Sequence, residues 1–267
     1  MAVEEPLEIR LDFLLDGARE TRSVAVTMRT PGYDFELAAG FLFSEGILEA
    51  RRQVREITYC RGGEGRGSPQ EYNVLSVFLQ DDVIPDTDLL TRNFYTSSSC
   101  GVCGKASIEA VEIKGCRILP EGVPRVEAGI IGGLPDRLFE GQKAFQKTGG
   151  LHAAGLFDVS GTMELLREDV GRHNAVDKVV GHGFLEGTLP WREKILVVSG
   201  RTSFEIIQKS LVAEIPVVVA VGAPSSLAVE LARSFNLTLV GFARGGGFNL
   251  YSGGDRILKW EGSSYDE

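Results

Sequence analysis

Cys100 and Cys103 form a C-x-x-C pair within Ser97-Ser98-Ser99-Cys100-Gly101-Val102-Cys103-Gly104-Lys105, using two of the chain's four cysteines. The serine triplet reads as a loop. The segment after the pair, Lys105 to Ile113, has helix-compatible spacing, with Ile108 and Val111 three apart. A thiol where a loop enters a helix meets N–H donors and the positive end of the dipole. Both favour the thiolate, the reactive form, and Lys105 adds a nearby positive charge. Several chemistries fit such a pair. A structural zinc site needs two more ligands, and neither Cys60 nor Cys116 forms a second C-x-x-C. A redox disulfide or a sulfur-handling thiol pair needs only the two cysteines. Two small buried residues in a turn is the plainest alternative, but Gly101 and Gly104 argue for an open, accessible loop.

Two further segments have the composition of anion sites. In Val198-Ser199-Gly200-Arg201-Thr202-Ser203-Phe204-Glu205, Thr202 and Glu205 have capping-box spacing, which marks a helix start. Gly200 allows close backbone approach and Arg201 supplies a fork of donors, a combination that suits a phosphate. A well-capped helix beside a surface arginine has the same spelling. In Gly241-Phe242-Ala243-Arg244-Gly245-Gly246-Gly247-Phe248, three consecutive glycines are costly to order. Their N–H groups could form an anion nest beside Arg244, and Phe242 and Phe248 could flank a flat ring. The pattern is neither a Walker A loop nor G-x-G-x-x-G.

There are three histidines. His152 falls on an expected strand. Asp169, His173 and Asp177 recur every four residues, so on one helix they would share a face able to hold a metal or a general base. A structural histidine beside carboxylates has the same spacing. His182, near a helix end, reads as a cap or dipole partner.

The elements that must position these residues differ between the two halves. Leu7 to Phe13 and Ser23 to Met28 alternate with period two around Asp16-Gly17, predicting a hairpin. Asp34 to Phe43 has helical spacing, and Val54 to Tyr59 and Tyr72 to Leu79 read as strands. Arg61 to Pro69, rich in Gly, Arg and Ser, reads as an exposed loop. Beyond a Gly- and Pro-dense boundary at Pro120 to Pro135, helices are expected over Pro135 to Lys147 and Gly171 to Gly183. A hairpin of Leu151 to Asp158 with Thr162 to Arg167 lies between them. Short apolar strands at Ile195 to Val198, Val217 to Val221 and Leu237 to Phe242 then alternate with helices at Thr202 to Glu214 and Ser225 to Phe235. That rhythm implies α/β architecture with a parallel sheet layered by helices. Ligands of such sheets sit outside the carboxyl ends of the strands, where both anion-site segments fall.

The chain has 267 residues and a formal net charge of −9, enough length for one large or two small domains. It has no long basic stripe of the kind a general nucleic-acid binder shows. No apolar run is long enough to span a bilayer. The opening Ala2-Val3-Glu4-Glu5-Pro6 does not resemble a secretion signal, so a cytoplasmic location with reduced thiols is expected.

Several stretches converge in order along nearly the whole chain: Met28-Arg29-Thr30-Pro31-Gly32, Gly40-Phe41-Leu42-Phe43-Ser44-Glu45-Gly46, Ser99-Cys100-Gly101-Val102-Cys103-Gly104 and Thr148-Gly149-Gly150-Leu151-His152. They continue through Glu168-Asp169-Val170-Gly171-Arg172-His173-Asn174-Ala175-Val176-Asp177-Lys178, Ser199-Gly200-Arg201 and Gly241-Phe242-Ala243-Arg244. In these the chain resembles the formate dehydrogenase accessory protein family, FdhD, described as sulfur carriers for molybdenum cofactor. The resemblance implies a sulfurtransferase that accepts sulfur from a cysteine desulfurase as a persulfide on Cys100, with Cys103 assisting. The sulfur passes to the molybdenum or tungsten centre of a bis-molybdopterin guanine dinucleotide cofactor destined for formate dehydrogenase. It places cofactor contacts at Phe242, Ala243, Arg244, Gly245, Gly246 and Gly247. Ser199, Gly200, Arg201, Thr202 and Ser203 join them as phosphate candidates. It also implies a homodimer, and a cytidine-deaminase-like three-layer domain over 126–267 behind a smaller α+β domain over 1–125. The deaminase zinc signature is absent, so no metal of its own is expected. The competing expectation is a cofactor-binding chaperone whose cysteines serve only as a redox pair.

Overall fold

The computed structural model describes residues 1–60, 72–86 and 116–259. Strands β1 (Glu5–Leu15) and β2 (Ala18–Arg29) form the expected antiparallel hairpin. Alternation along β1 buries Leu7, Ile9, Leu11 and Phe13. β3 (Val54–Tyr59) and β4 (Val74–Leu79) complete a four-stranded sheet of order β2-β1-β4-β3, in which β4 runs parallel to β1. Helix α1 (Asp34–Ser44) lays Leu37, Ala38, Ala39 and Leu42 against it.

A small pair, β5 (Val126–Glu127) with the late strand β12 (Ile257–Leu258), stands at the edge of the second layer system. The main sheet there has six strands: β6 (His152–Phe157), β7 (Met163–Asp169), β8 (Ile195–Val198), β9 (Val217–Ala220), β10 (Thr238–Arg244) and β11 (Gly247–Ser252). Their order is β11-β10-β9-β8-β6-β7. The three central strands β8, β9 and β10 are parallel, as their unbroken apolar runs predict. The flanks depart from an all-parallel sheet, because β6 is antiparallel to both β7 and β8, and β11 is antiparallel to β10.

Helices cover both faces. Ile131, Leu134 and Leu138 of α2 (Ala128–Gly141) pack on Ala153, Val197, Val219 and Val240. On the opposite face, α4 (Arg172–Glu186), α5 (Phe204–Val212) and α6 (Ser226–Ser234) pack on Ala154, Leu196, Val198 and Val218. The single helix expected over Pro135 to Lys147 is two. Helix α2 starts before Pro135 and carries it inside, and α3 (Lys143–Thr148) follows a break at Gln142, where ψ is 66°. The apolar spacing of Ile131, Leu134 and Leu138 outweighs the hydrogen bond that Pro135 cannot make.

The two layer systems meet where α1 crosses α4. A Cβ on Gly40 would collide with the Asp177 carbonyl, and one on Gly181 with the Glu36 carbonyl, so the helices touch backbone to backbone. Polar pairs surround this crossing. Arg167 grips Glu36 with Nε and Nη2, at 2.5 and 2.7 Å, and lies over the Tyr33 ring. His182 also reaches the Glu36 carboxylate, at 3.1 Å, instead of its own helix end. Gly181→Ala should cost at least about 2 kcal/mol, because backbone cannot yield to the added methyl as a side chain would. Urea unfolding would measure this, with the exposed Gly129→Ala on α2 as the mild control.

Candidate functional site

The carboxyl ends of β8, β9 and β10 carry three loops joined by backbone hydrogen bonds. Gly222 donates to the Gly200 carbonyl, Thr202 to Ala223, Ser225 to Thr202, and Phe242 to Gly222. Ser199–Ser203 and the start of the Phe242–Gly247 segment are thereby connected through Gly222. Thr202 does not cap α5. An extended pairing with Pro224 holds it one residue too early, and Ser203 occupies the N-cap. The Ser203 hydroxyl is 2.8 Å from His173 Nε2 and provides no side-chain cap for α5.

A cleft of ≈ 600 Å³ opens beside these loops, between β2, α1 and the amino ends of α4 and α5. Gly171, Arg172 and His173 begin α4, Ser203, Phe204 and Glu205 begin α5, and all six line it. Gly171 and Ser203 give neither helix a side-chain cap, while Asp169 takes the Gly171 N–H and Glu205 its own main-chain N–H. Arg201, His152 and Lys209 complete the basic lining. Carboxylates line it too, but the structure engages several of them. Asp177 Oδ1 is 2.7 Å from the buried Lys209 Nζ, and Glu205 is served by the Ser203 hydroxyl.

Burial and these charges set the protonation states. Burial, then Arg172 and Lys209, push His173 down to about 4, against the pull of Glu205. Burial and Arg172 likewise lower His152. For Lys209, burial opposes the charged form, but Asp177, Glu45 and Glu205 outweigh it and hold its pKa above the ordinary value. The cleft thus presents Arg172, Arg201 and Lys209 with two neutral imidazoles, alongside the acidic side chains of Glu4, Glu45, Asp177 and Glu205. Among the described residues, two buried side-chain atoms have no hydrogen-bond partner: Arg172 Nε and Thr202 Oγ1. A buried donor left open is uncommon, and an arginine beside two helix N-termini fits a phosphate.

Residues 2–258 match the FdhD/NarQ family. A curated relative, the sulfur carrier protein FdhD of Streptomyces avermitilis, is 50% identical over 258 residues, covering 96% of this chain and 88% of that protein. The protein of the same name from Mycobacterium tuberculosis is 52% identical over 260 residues, covering 96% and 91%. The chain belongs to the FdhD/NarQ family. A crystal structure provisionally assigned as a formate dehydrogenase accessory protein, from Desulfotalea psychrophila, superposes with a TM-score of 0.71. It has 25% identity over 96% of this chain and 90% of the other.

Within this FdhD/NarQ chain the sequence-chosen residues divide. Cys100 and Cys103 lie outside the described residues, as do Lys105 to Ile113 and Arg61 to Pro69. Arg201 and Ser203 line the cleft, with Ser199 behind them donating or accepting at His152 Nδ1, 3.5 Å away. Phe242 is exposed and in a left-handed conformation, with φ 52°. Gly245 and Gly246, with φ 56° and 81°, are the two-residue turn of the β10–β11 hairpin. That turn by itself calls for glycine, so the triplet has a structural reason alongside the proposed one. Asp169, His173 and Asp177 do not share a helix face. Asp169 ends β7 and pairs with the buried Lys178 at 2.6 Å, while Asp177 belongs to Lys209. Among the described residues no group of three His, Cys, Asp or Glu could hold a metal ion, and no helix is long and apolar enough to cross a membrane. Arg172 and Lys209 were not singled out from sequence. Arg172 stands in the quoted Glu168–Lys178 stretch, whereas nothing local marks Lys209, which tertiary packing brings to the cleft.

The His173 protonation has a sign that can be tested. The fold favours the neutral ring and the unfolded chain takes up the proton, so this contribution is complete above pH 6.5 and is lost as pH falls towards 4. Between pH 8 and pH 5 the wild type should lose about 2 kcal/mol more stability than His173→Asn, measured by urea unfolding at each pH.

Proposed function

We propose that this protein is a sulfurtransferase that carries sulfur as a persulfide on Cys100. The sulfur comes from a cysteine desulfurase and goes to a bis-molybdopterin guanine dinucleotide cofactor, held for formate dehydrogenase. Full-length similarity to relatives named sulfur carrier protein is the observation that carries the sulfur role. The cofactor assignment draws support from the arginines of the cleft beside two helix N-termini and from the buried, unpartnered Arg172 Nε.

The chemistry divides between two parts of the chain. A donor persulfide is attacked by the Cys100 thiolate: a new S–S bond forms to the sulfane sulfur, and the donor leaves as its thiolate. Cys103 is the assisting thiol. The described residues bind and orient the client. Arg172, Arg201 and the N-termini of α4 and α5 take phosphates, while Ser199–Ser203 and Phe242–Gly247 contact the nucleotide portion. An acidic chain needs such local sites, because its overall field repels polyanions. In this reading 126–267 is a cytidine-deaminase-like three-layer domain reused without zinc, 1–125 is the smaller unit, and the protein works as a cytoplasmic homodimer.

Two measurements test it. After incubation with a desulfurase and cysteine, intact-mass spectrometry should find one added sulfur on the wild type and none on Cys100→Ala. Loading that survives Cys100→Ala contradicts the sulfur assignment. Arg172→Met should weaken GDP, used as a fragment of the client, by about tenfold or more in calorimetry. That is the loss expected for a charge-assisted contact of about 1.5–3 kcal/mol.

A further inference from the structure

His173 has a role in the cleft that phosphate binding alone does not require. Its Nε2 is 2.8 Å from the Ser203 hydroxyl, which also serves the Glu205 carboxylate. When the hydroxyl turns its proton to Glu205 it accepts from the imidazole, and the neutral ring then carries its proton on Nε2. Nδ1 is then the basic atom. Among the described residues the ring's hydrogen bond is the one between Nε2 and Ser203, and the ring lines the cleft.

We propose that the cleft takes up a nucleotide's phosphates together with one proton, which His173 Nδ1 accepts from solvent as the anion seats. This rests on the reading of the cleft as the nucleotide site. No bond of the nucleotide is made or broken. An N–H bond forms on Nδ1, and the buffer gives up the proton.

Burial and the charges facing the ring decide the direction. Arg172 on its own helix and Lys209 on α5 oppose protonation. Arg201 on the β8 loop and the neutral His152 on β6 add no negative charge. Glu205 on α5 favours protonation but stands 3.8 Å away. Asp177 on α4 is committed to Lys209, and Asp169 at the end of β7 to Lys178. Glu45 beyond α1 and Glu4 before β1 also line the cleft. In the empty cleft burial, with Arg172 and Lys209, outweighs Glu205 and the ring stays neutral. A phosphate at Arg172 offsets that cation and adds negative charge beside the ring. The imidazolium then becomes a further cation holding the anion. Release would follow the same coupling in reverse: loss of the proton loosens the phosphate.

The test is calorimetry of GDP binding near pH 5 in buffers of different ionisation enthalpy, on wild type and His173→Asn. Wild type should take up about one proton more than the variant, and its affinity should fall about tenfold per pH unit above the bound-state midpoint. NMR gives a variant-independent check, because only three histidines need assignment. The His173 ring should titrate near the low value of the free protein and move up by about two units or more when GDP is bound. GDP binding with no difference in proton uptake, with uptake that survives His173→Asn, or with an unmoved His173 midpoint overturns this inference alone. Failure of GDP to bind overturns the nucleotide reading of the cleft and the inference with it.

Discussion

The backbone contact between α1 and α4 is the constraint on which the rest depends. Gly40 and Gly181 let two helices from different layer systems meet without side chains between them. That contact places β2 and α1 over the amino end of α4, and so turns two helix starts into the floor of a cleft. Arg167, Glu36 and His182 hold the same crossing from outside, while Lys178 ties α4 to Asp169 and to the Thr30 carbonyl. Larger residues at the crossing would separate the layers and open the cleft to water. Its cations would then be screened and its histidines would behave as ordinary surface groups.

The site works through contrast between committed and uncommitted groups. Asp169 and Asp177 are buried and each is matched to a lysine, so they neutralise Lys178 and Lys209 without facing a ligand alone. Arg172 is left with an open donor, and two helix N-termini remain uncapped by side chains. In the proposed function these groups receive the anion in a protein whose net charge is −9. Neutral imidazoles between those cations give the cleft a response that lysines or arginines could not, since an imidazole held neutral can still gain a proton whereas those side chains are already charged.

Much of the fold was legible in the sequence. The β1–β2 hairpin, α1, α4 and the three parallel strands each follow a period that a single backbone geometry satisfies. The Ser199–Ser203 loop was found because glycine, arginine and hydroxyls follow a buried strand there. What local pattern could not supply was set by distant partners. Pro135 reads as a helix start, yet packing of Ile131, Leu134 and Leu138 extends α2 ahead of it. Thr202 has capping-box spacing, yet pairing with Pro224 moves the cap to Ser203. Asp169 and Asp177 have helical spacing to His173, yet a strand end and two buried lysines separate their roles. Lys209 looks like an ordinary helix lysine until α4 brings Asp177 against it.

The account centres on a polyanionic nucleotide held at the start of α4 and α5. A crystal structure of the protein with GDP tests this most directly. The account predicts the terminal phosphate within hydrogen-bonding distance of Arg172 and of main-chain N–H groups at the start of α4 or α5. GDP ordered elsewhere on the protein, with the cleft beside His173 holding only solvent, would contradict it.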